Sequence, residues 1–212
     1  MQLYLHTQVK EVAKEKWRTP EAYQYIVTLT QFSDAALQWF DEEPERLKLL
    51  SPEQFQNLIA DRLEQMGLGV QLVGNVFRKD GGIDIVAYPR QDRCNFPFLL
   101  AVQAKHHRTS RKTEVQDVRE FHGALRCGLP NFNMGLLVTN TSFTADADWL
   151  ARNTGTLVRL RDLKDLRRWI RNDFVNESEW REIPEQIVLA PDVTITIPKP
   201  KKPQIIPNPK IF

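Results

Sequence analysis

Asp84, Gln103 and Lys105 bring a carboxylate, an amide and an ammonium group to two segments that both read as strands. The segments are joined by the polar turn Pro89-Arg90-Gln91-Asp92-Arg93. If they pair antiparallel about that turn, Asp84 falls roughly opposite Gln103. Side chains alternate along a strand, so Gln103 and Lys105 share a face. Ile83, Ile85 and Ala87 form the apolar set for the core, which leaves Asp84 to join Gln103 and Lys105. Such a group suits phosphodiester hydrolysis. A carboxylate is a hard oxygen ligand for Mg2+, which keeps most of its own waters. A bound cation acidifies water and offsets charge developing on phosphate. Lys105 can orient the attacking water or stabilise the charged transition state. Gln103 and the backbone carbonyl of Ala104 offer further oxygens, and Asp80 is an additional possible ligand. Gly81 and Gly82 let the backbone approach a phosphate closely. The competing reading is an ordinary surface ion pair between Asp84 and Lys105, worth little to stability.

The elements that must position these residues are legible in outline. Ser51-Pro52-Glu53 reads as an N-cap, a first-turn proline and an early acidic residue. Phe55, Leu58, Ile59, Leu63 and Met66 then recur at helical spacing, with Gly67 placed to end the helix. Val70, Leu72 and Val76 suggest a strand, residues 83–88 a second, and residues 98–105 a third, apolar enough to be central. Residues 114–126 read as a helix through Val115, Val118, His122 and Leu125, with His122 expected in the core. Residues 135–139 form a buried strand, Thr144 caps a helix toward Arg152, residues 156–160 a short strand, and Asp162 caps a last helix through Leu166 and Ile170.

Flanking zones differ in character. Residues 1–50 read as a helical extension, with a stretch over 21–40 opened by Thr19-Pro20 and punctuated at Ser33 and Pro44. Its aromatics (Trp17, Tyr23, Tyr25, Phe32, Trp39, Phe40) must pack on the main domain or a partner. Residues 191–212 carry prolines and lysines that predict an extended, flexible basic tail. The expected division is therefore 1–50, a domain over 51–190, and 191–212.

A net charge of +2 over 212 residues does not announce a nucleic-acid binder, so that claim rests on local arrangement. Cys94 and Cys127 make no CxxC pattern, and neither a signal-like leader nor an apolar run of about 18 residues is present. The reading is a cytoplasmic protein with no membrane partner. His106, His107, Arg108, Arg111 and Lys112 follow the strand bearing Lys105 and are candidate phosphate grips. Ser142, before the helix that Thr144 caps, is a secondary one.

In order along the chain, Ser51-Pro52-Glu53-Gln54-Phe55, Asp80-Gly81-Gly82-Ile83-Asp84 and Val102-Gln103-Ala104-Lys105 resemble the Mrr-like branch of the PD-(D/E)xK restriction endonucleases, in its QxK form. The resemblance covers roughly residues 51–170, including Gly135-Leu136-Leu137-Val138-Thr139 and Ser142-Phe143-Thr144. It implies an α/β fold, a mixed sheet flanked by helices, with Mg2+-dependent cleavage of DNA (Mn2+ as a substitute) and a defence role. By position, Asp84, Gln103 and Lys105 match the family's catalytic trio, and Asp84, Gln103 and Ala104 its metal donors. The family usually has a glutamate after the helix phenylalanine, where this chain has Gln56; Glu53, one turn earlier, is the alternative donor. Target choice would come from a homo-oligomer or a protein partner, through residues 1–50 or the tail. The rivals are an RNA or junction nuclease of the same fold, and a catalytically silent binding or scaffold subunit.

Overall fold

The computed structural model describes residues 32–73, 82–90, 98–126, 132–154, 158–175, 185–191 and 193–198. The first unit, within residues 1–172, is built on a five-stranded mixed sheet ordered β1-β2-β3-β4-β5. Strands β1 (Leu68–Leu72), β2 (Ile85–Pro89) and β3 (Leu100–Lys105) pair antiparallel, and β4 (Met134–Thr139) and β5 (Val158–Arg161) continue from β3 in parallel. β3 is the junction between the two halves. Its run Leu-Ala-Val-Gln is buried throughout, as expected of a strand covered on both faces.

Alternation along β3 sorts the helices. Ala101 belongs to a cluster with Val118, Phe121 and Leu125 of helix α3 (Val115–Arg126), Leu137 of β4, and Ala147 and Ala151 of helix α4 (Ala145–Asn153). Leu100 and Val102 point the other way, opposite Ala87 and Ile85. There helix α2 (Pro52–Gln65) packs on β1, β2 and β3 and buries Phe55, Leu58 and Ile59 completely. Ile83 packs against the α3–α4 cluster, whereas Ile85 and Ala87 lie opposite Val102 and Leu100. The expected apolar trio therefore divides just before β2 begins. His122 is not a core residue; it is half-buried and accepts from Arg126 Nε at 3.3 Å, while its neighbour Phe121 takes the core position.

Helix ends follow local chemistry. Ser51 Oγ accepts from Gln54 N–H, and Gln54 Oε1 accepts from Ser51 N–H at 2.7 Å, a capping box closed by Gln54. Gly67, with φ +94°, supplies the left-handed residue just past the helix. Thr144 caps α4, and Asp162 caps helix α5 (Leu163–Ile170). In the amino-terminal region, helix α1 (Asp34–Glu42) starts at the cap Ser33 and leads into a 3-10 turn, Pro44–Leu49. Phe32 and Phe40 are buried; Trp17, Tyr23 and Tyr25 lie outside the described residues. α1 packs on α5, where Arg171 Nε donates to both oxygens of Asp41 at 2.8 and 2.9 Å.

The second unit, within residues 173–212, holds a hairpin of β6 (Gln186–Ala190) and β7 (Val193–Thr196). β7 stands inside the stretch expected to be an extended tail, because Val-Thr-Ile-Thr is a β-branched run embedded in a proline-rich composition. Among the described residues no helix is long and apolar enough to cross a membrane.

One buried ion pair ties the helices together. Asp61 and Arg62 on α2 are both buried, with Arg62 Nε and Nη2 on Asp61 Oδ2. Arg62 Nη1 donates to Asn172 Oδ1 at 2.9 Å, and Asn172 adopts φ +59° just past α5. Replacing Arg62 by Met leaves a buried carboxylate without its cation. The expected cost is about 3–5 kcal/mol in urea unfolding, most of which the double variant Asp61→Leu/Arg62→Met recovers.

Candidate active site

The β2–β3 ladder stops at Ile85 opposite Val102, and Asp84 takes over from it. Its N–H donates to Val102 O at 2.8 Å, and its Oδ2 accepts from Ala104 N–H at 2.7 Å. Asp84 thus brackets Gln103 from the neighbouring strand. Oδ1 of the same carboxylate accepts from Gln56 Nε2 at 2.9 Å, which brings α2 to the site. Glu53 is held at the helix start instead, accepting from Ser51 Oγ at 2.8 Å. Its own backbone N–H and that hydroxyl keep its carboxyl below the usual range.

Gln103 is 8% exposed, yet its Oε1 is buried without a hydrogen-bond partner among the described residues. A buried acceptor left unmatched costs about 1–3 kcal/mol, so it calls for a ligand. Gly82 forms the wall beside it: with φ +76°, a Cβ there would stand 2.0 Å from Gln103 Nε2. Only glycine fits both that backbone and that approach. Asp80 and Gly81 lie outside the described residues.

A strand residue's N–H and C=O leave the backbone on the same side. Ala104 donates toward Asp84, so its carbonyl faces that side as well. Asp84, Gln103 Oε1 and Ala104 O form a small set of hard oxygen donors, which fits a cation that retains several waters. Among the described residues no group of three His, Cys, Asp or Glu side chains could hold a metal ion.

Lys105, at the end of β3, forms an ion pair with Asp117 in the first turn of α3, Nζ to Oδ1 at 2.9 Å. The second oxygen of Asp117 accepts from Glu114 N–H at 2.9 Å. Burial pushes the Asp117 carboxyl up, but the Lys105 hydrogen bond, the Glu114 N–H and the charges of Lys105 and His107 bring it below its ordinary value. Sequence reasoning missed Asp117. An acidic residue in a first turn is ordinary complement to the helix dipole, and nothing local ties it to a lysine 12 positions earlier.

Because β3 and β4 are parallel, Lys105 and Thr139 end side by side, and the loops that follow share one edge. Hydroxyls knit this edge. His107 Nε2 lies 3.0 Å from Thr113 Oγ1, which donates to Thr139 Oγ1 at 2.9 Å, which donates to Lys105 O at 3.1 Å. With each threonine proton spent downstream, His107 is the donor at the head of the chain, protonated on Nε2. Asn140 clamps the His107 backbone at both N–H and C=O, at 2.8 Å each.

The loop candidates therefore separate. His106 turns inward, with Nε2 3.0 Å from Leu47 O and its ring 5.4 Å from that of Phe55. Burial holds His106 below the usual imidazole range, opposed by the Leu47 carbonyl and aided by Arg108. Burial does the same for His107, opposed by Asp117 and aided by Arg111, His106 and Lys105. Arg108, Arg111 and Lys112 are exposed, Arg111 paired with Glu114 at 3.1 Å. Ser142 contributes its carbonyl, which accepts from Thr113 N–H at 2.9 Å.

Three solved structures are similar at 18–19% identity. The crystal structure of AF1548, a protein of unknown function, has a TM-score of 0.43 over 58% of this chain and 64% of its own. The MspJI restriction endonuclease in complex with a 27-mer oligonucleotide has a TM-score of 0.42 over 71% of this chain and 35% of its own. The DNA modification-dependent restriction endonuclease AspBHI has a TM-score of 0.47 over 74% of this chain and 36% of its own. The chain spans about a third of the length of the latter two. No curated protein matches it. The restriction endonuclease family model for the Mrr-type catalytic domain matches residues 47–170, more than half of the chain and every described residue of the site, and the chain belongs to that family.

Proposed function

We propose that this chain is an endonuclease that hydrolyses DNA phosphodiester bonds with the help of a divalent cation, Mg2+ or Mn2+ in its place. The observation that carries the reading is the buried, unpartnered Gln103 Oε1 beside the Asp84 carboxylate. Asp84, Gln103 and Ala104 O would hold the cation. When bound, it supplies a more acidic water and neutralises charge on the phosphate. Asp84 is oriented for that role by the Ala104 N–H and the Gln56 amide. Gly82, lacking a Cβ, leaves room for the Gln103 amide to sit against the backbone. Lys105 stabilises the charge that develops on the phosphate oxygens. Arg108, Arg111 and Lys112, exposed on the adjoining loop, grip flanking phosphates, and Ser142 lines the neighbouring loop.

Family membership supports DNA as the substrate and defence against foreign DNA in the cytoplasm as the setting. A double-strand break needs two such sites, so a second copy or a protein partner, engaged through residues 1–50 or the tail, completes the assembly. One observation favours a rival. Gln56 puts a neutral amide where the family usually has a carboxylate, which lowers the attraction for a cation and suits a binding subunit without activity.

Supercoiled plasmid incubated with the protein and Mg2+ or Mn2+ should be nicked or linearised, and EDTA should abolish this. Asp84→Ala and Lys105→Ala should each lower the rate by about 100-fold or more. DNA binding without cutting would favour the subunit reading, and cutting that survives both substitutions would place the chemistry elsewhere. An RNA competitor that suppresses cutting better than DNA would reassign the substrate.

Gly82→Ala should displace Gln103 and raise the half-saturating Mg2+ concentration by about 10-fold or more, as loss of a supporting contact does at other metal sites. DNA affinity measured in EDTA should not change. An unaltered Mg2+ requirement would remove Gln103 from the metal site.

A further inference from the structure

The helix that follows the loop, α3, contributes a carboxylate that family motifs do not mark. Asp117 divides its two oxygens between two tasks. Oδ2 accepts from Glu114 N–H, and Asp117 N–H donates back to Glu114 O at 3.1 Å, which fixes the carboxylate to the helix start. Oδ1 is then held where Lys105 Nζ meets it at 2.9 Å. The helix beneath is anchored in turn, because Val118 and Phe121 are fully buried against Ala101 and Leu137. Both side chains of the pair are 25% exposed, deeper than the freely solvated pairs that contribute almost nothing.

A lysine carries its charge on four rotatable bonds and loses much entropy when it must serve one spot. Removing that freedom beforehand is how a supporting residue raises a rate. We propose that Asp117 is the positioning residue for Lys105, a carboxylate that presents the ammonium to the scissile phosphate from a fixed point on α3. The role rests on the nuclease reading. It also gives that reading a further polar group, reached from α3.

The test is single-turnover plasmid cleavage by the full chain, with DNA affinity measured in parallel. Asp117→Asn keeps an oxygen for Glu114 N–H and replaces the one facing Lys105 by a neutral group. It should lower kcat by roughly 10-fold to 100-fold with Kd for DNA unchanged, and thermal unfolding should show the variant folded. Asp117→Glu should recover part of the rate. In a Lys105→Ala background, Asp117→Asn should cost nothing further, because both changes remove one device. A wild-type rate for Asp117→Asn, or an equal loss with and without Lys105, overturns the positioning role while leaving the nuclease reading intact. A wild-type chain that cuts no DNA with either cation overturns the nuclease reading, and this role with it.

Discussion

Where β2 stops pairing with β3, a carboxylate continues the ladder. Ala104 N–H, which would otherwise need a backbone acceptor, is bound at 2.7 Å by Asp84 Oδ2. That bond has two effects at once. It satisfies a strand donor at the end of a ladder, and it pins a charged group beside the buried amide of Gln103. Other parts of the site build on this point. Gln56 reaches it from α2, Gly82 makes room for the amide it brackets, and Lys105 leaves the same strand one residue after Ala104.

The sheet's change of direction explains why the loops gather there. β3 is antiparallel to β2 and parallel to β4, so its carboxyl end meets the start of β2 on one side and the end of β4 on the other. Asp84 comes from the first side, and Thr139 with Asn140 from the second. The threonine chain and the Asn140 clamp then hold the segment after Lys105 in one path. Buried hydroxyls that donate in series leave little freedom for the backbone they tie down. The exposed cations Arg108, Arg111 and Lys112 are carried on a loop with fixed roots, not on a free one.

What was legible in the sequence was what repeats or caps locally. Antiparallel pairing about the polar turn placed Asp84 near Gln103, although the alternation expected of Ile83, Ile85 and Ala87 breaks at Ile83, and cap chemistry at Ser51, Thr144 and Asp162 marked three helix starts that the structure bears out. Contacts between elements were not legible. Gln56 and Asp84 are 28 positions apart, and nothing in either segment announces their hydrogen bond. Lys105 and Asp117 meet only because α3 lies along the sheet. The same limit explains His106 and His107. A row of basic residues after a strand reads as a solvated grip, but Leu47 and Thr113 offer inward partners that no local pattern shows. His122 failed in the opposite direction, because apolar spacing alone cannot say which of two adjacent residues, Phe121 or His122, faces the core.

The use of amides in place of carboxylates has a physical consequence of its own. A carboxylate as buried as Gln103 would pay a far larger desolvation cost without a cation than the about 1–3 kcal/mol of an amide with one unmatched oxygen. An amide is therefore the less costly group to bury there without a partner. Gln56 extends the same logic, since a glutamate there would face Asp84 with like charge at hydrogen-bond distance, while the amide donates to it. Among the described residues, Asp117 is matched to Lys105, and Asp84 is the carboxylate beside Gln103. Fewer charges attract a divalent ion less strongly, and they also repel an approaching phosphate less. On the proposed reading, such a site would gain from having DNA present when a cation binds, because the phosphate brings negative oxygens of its own.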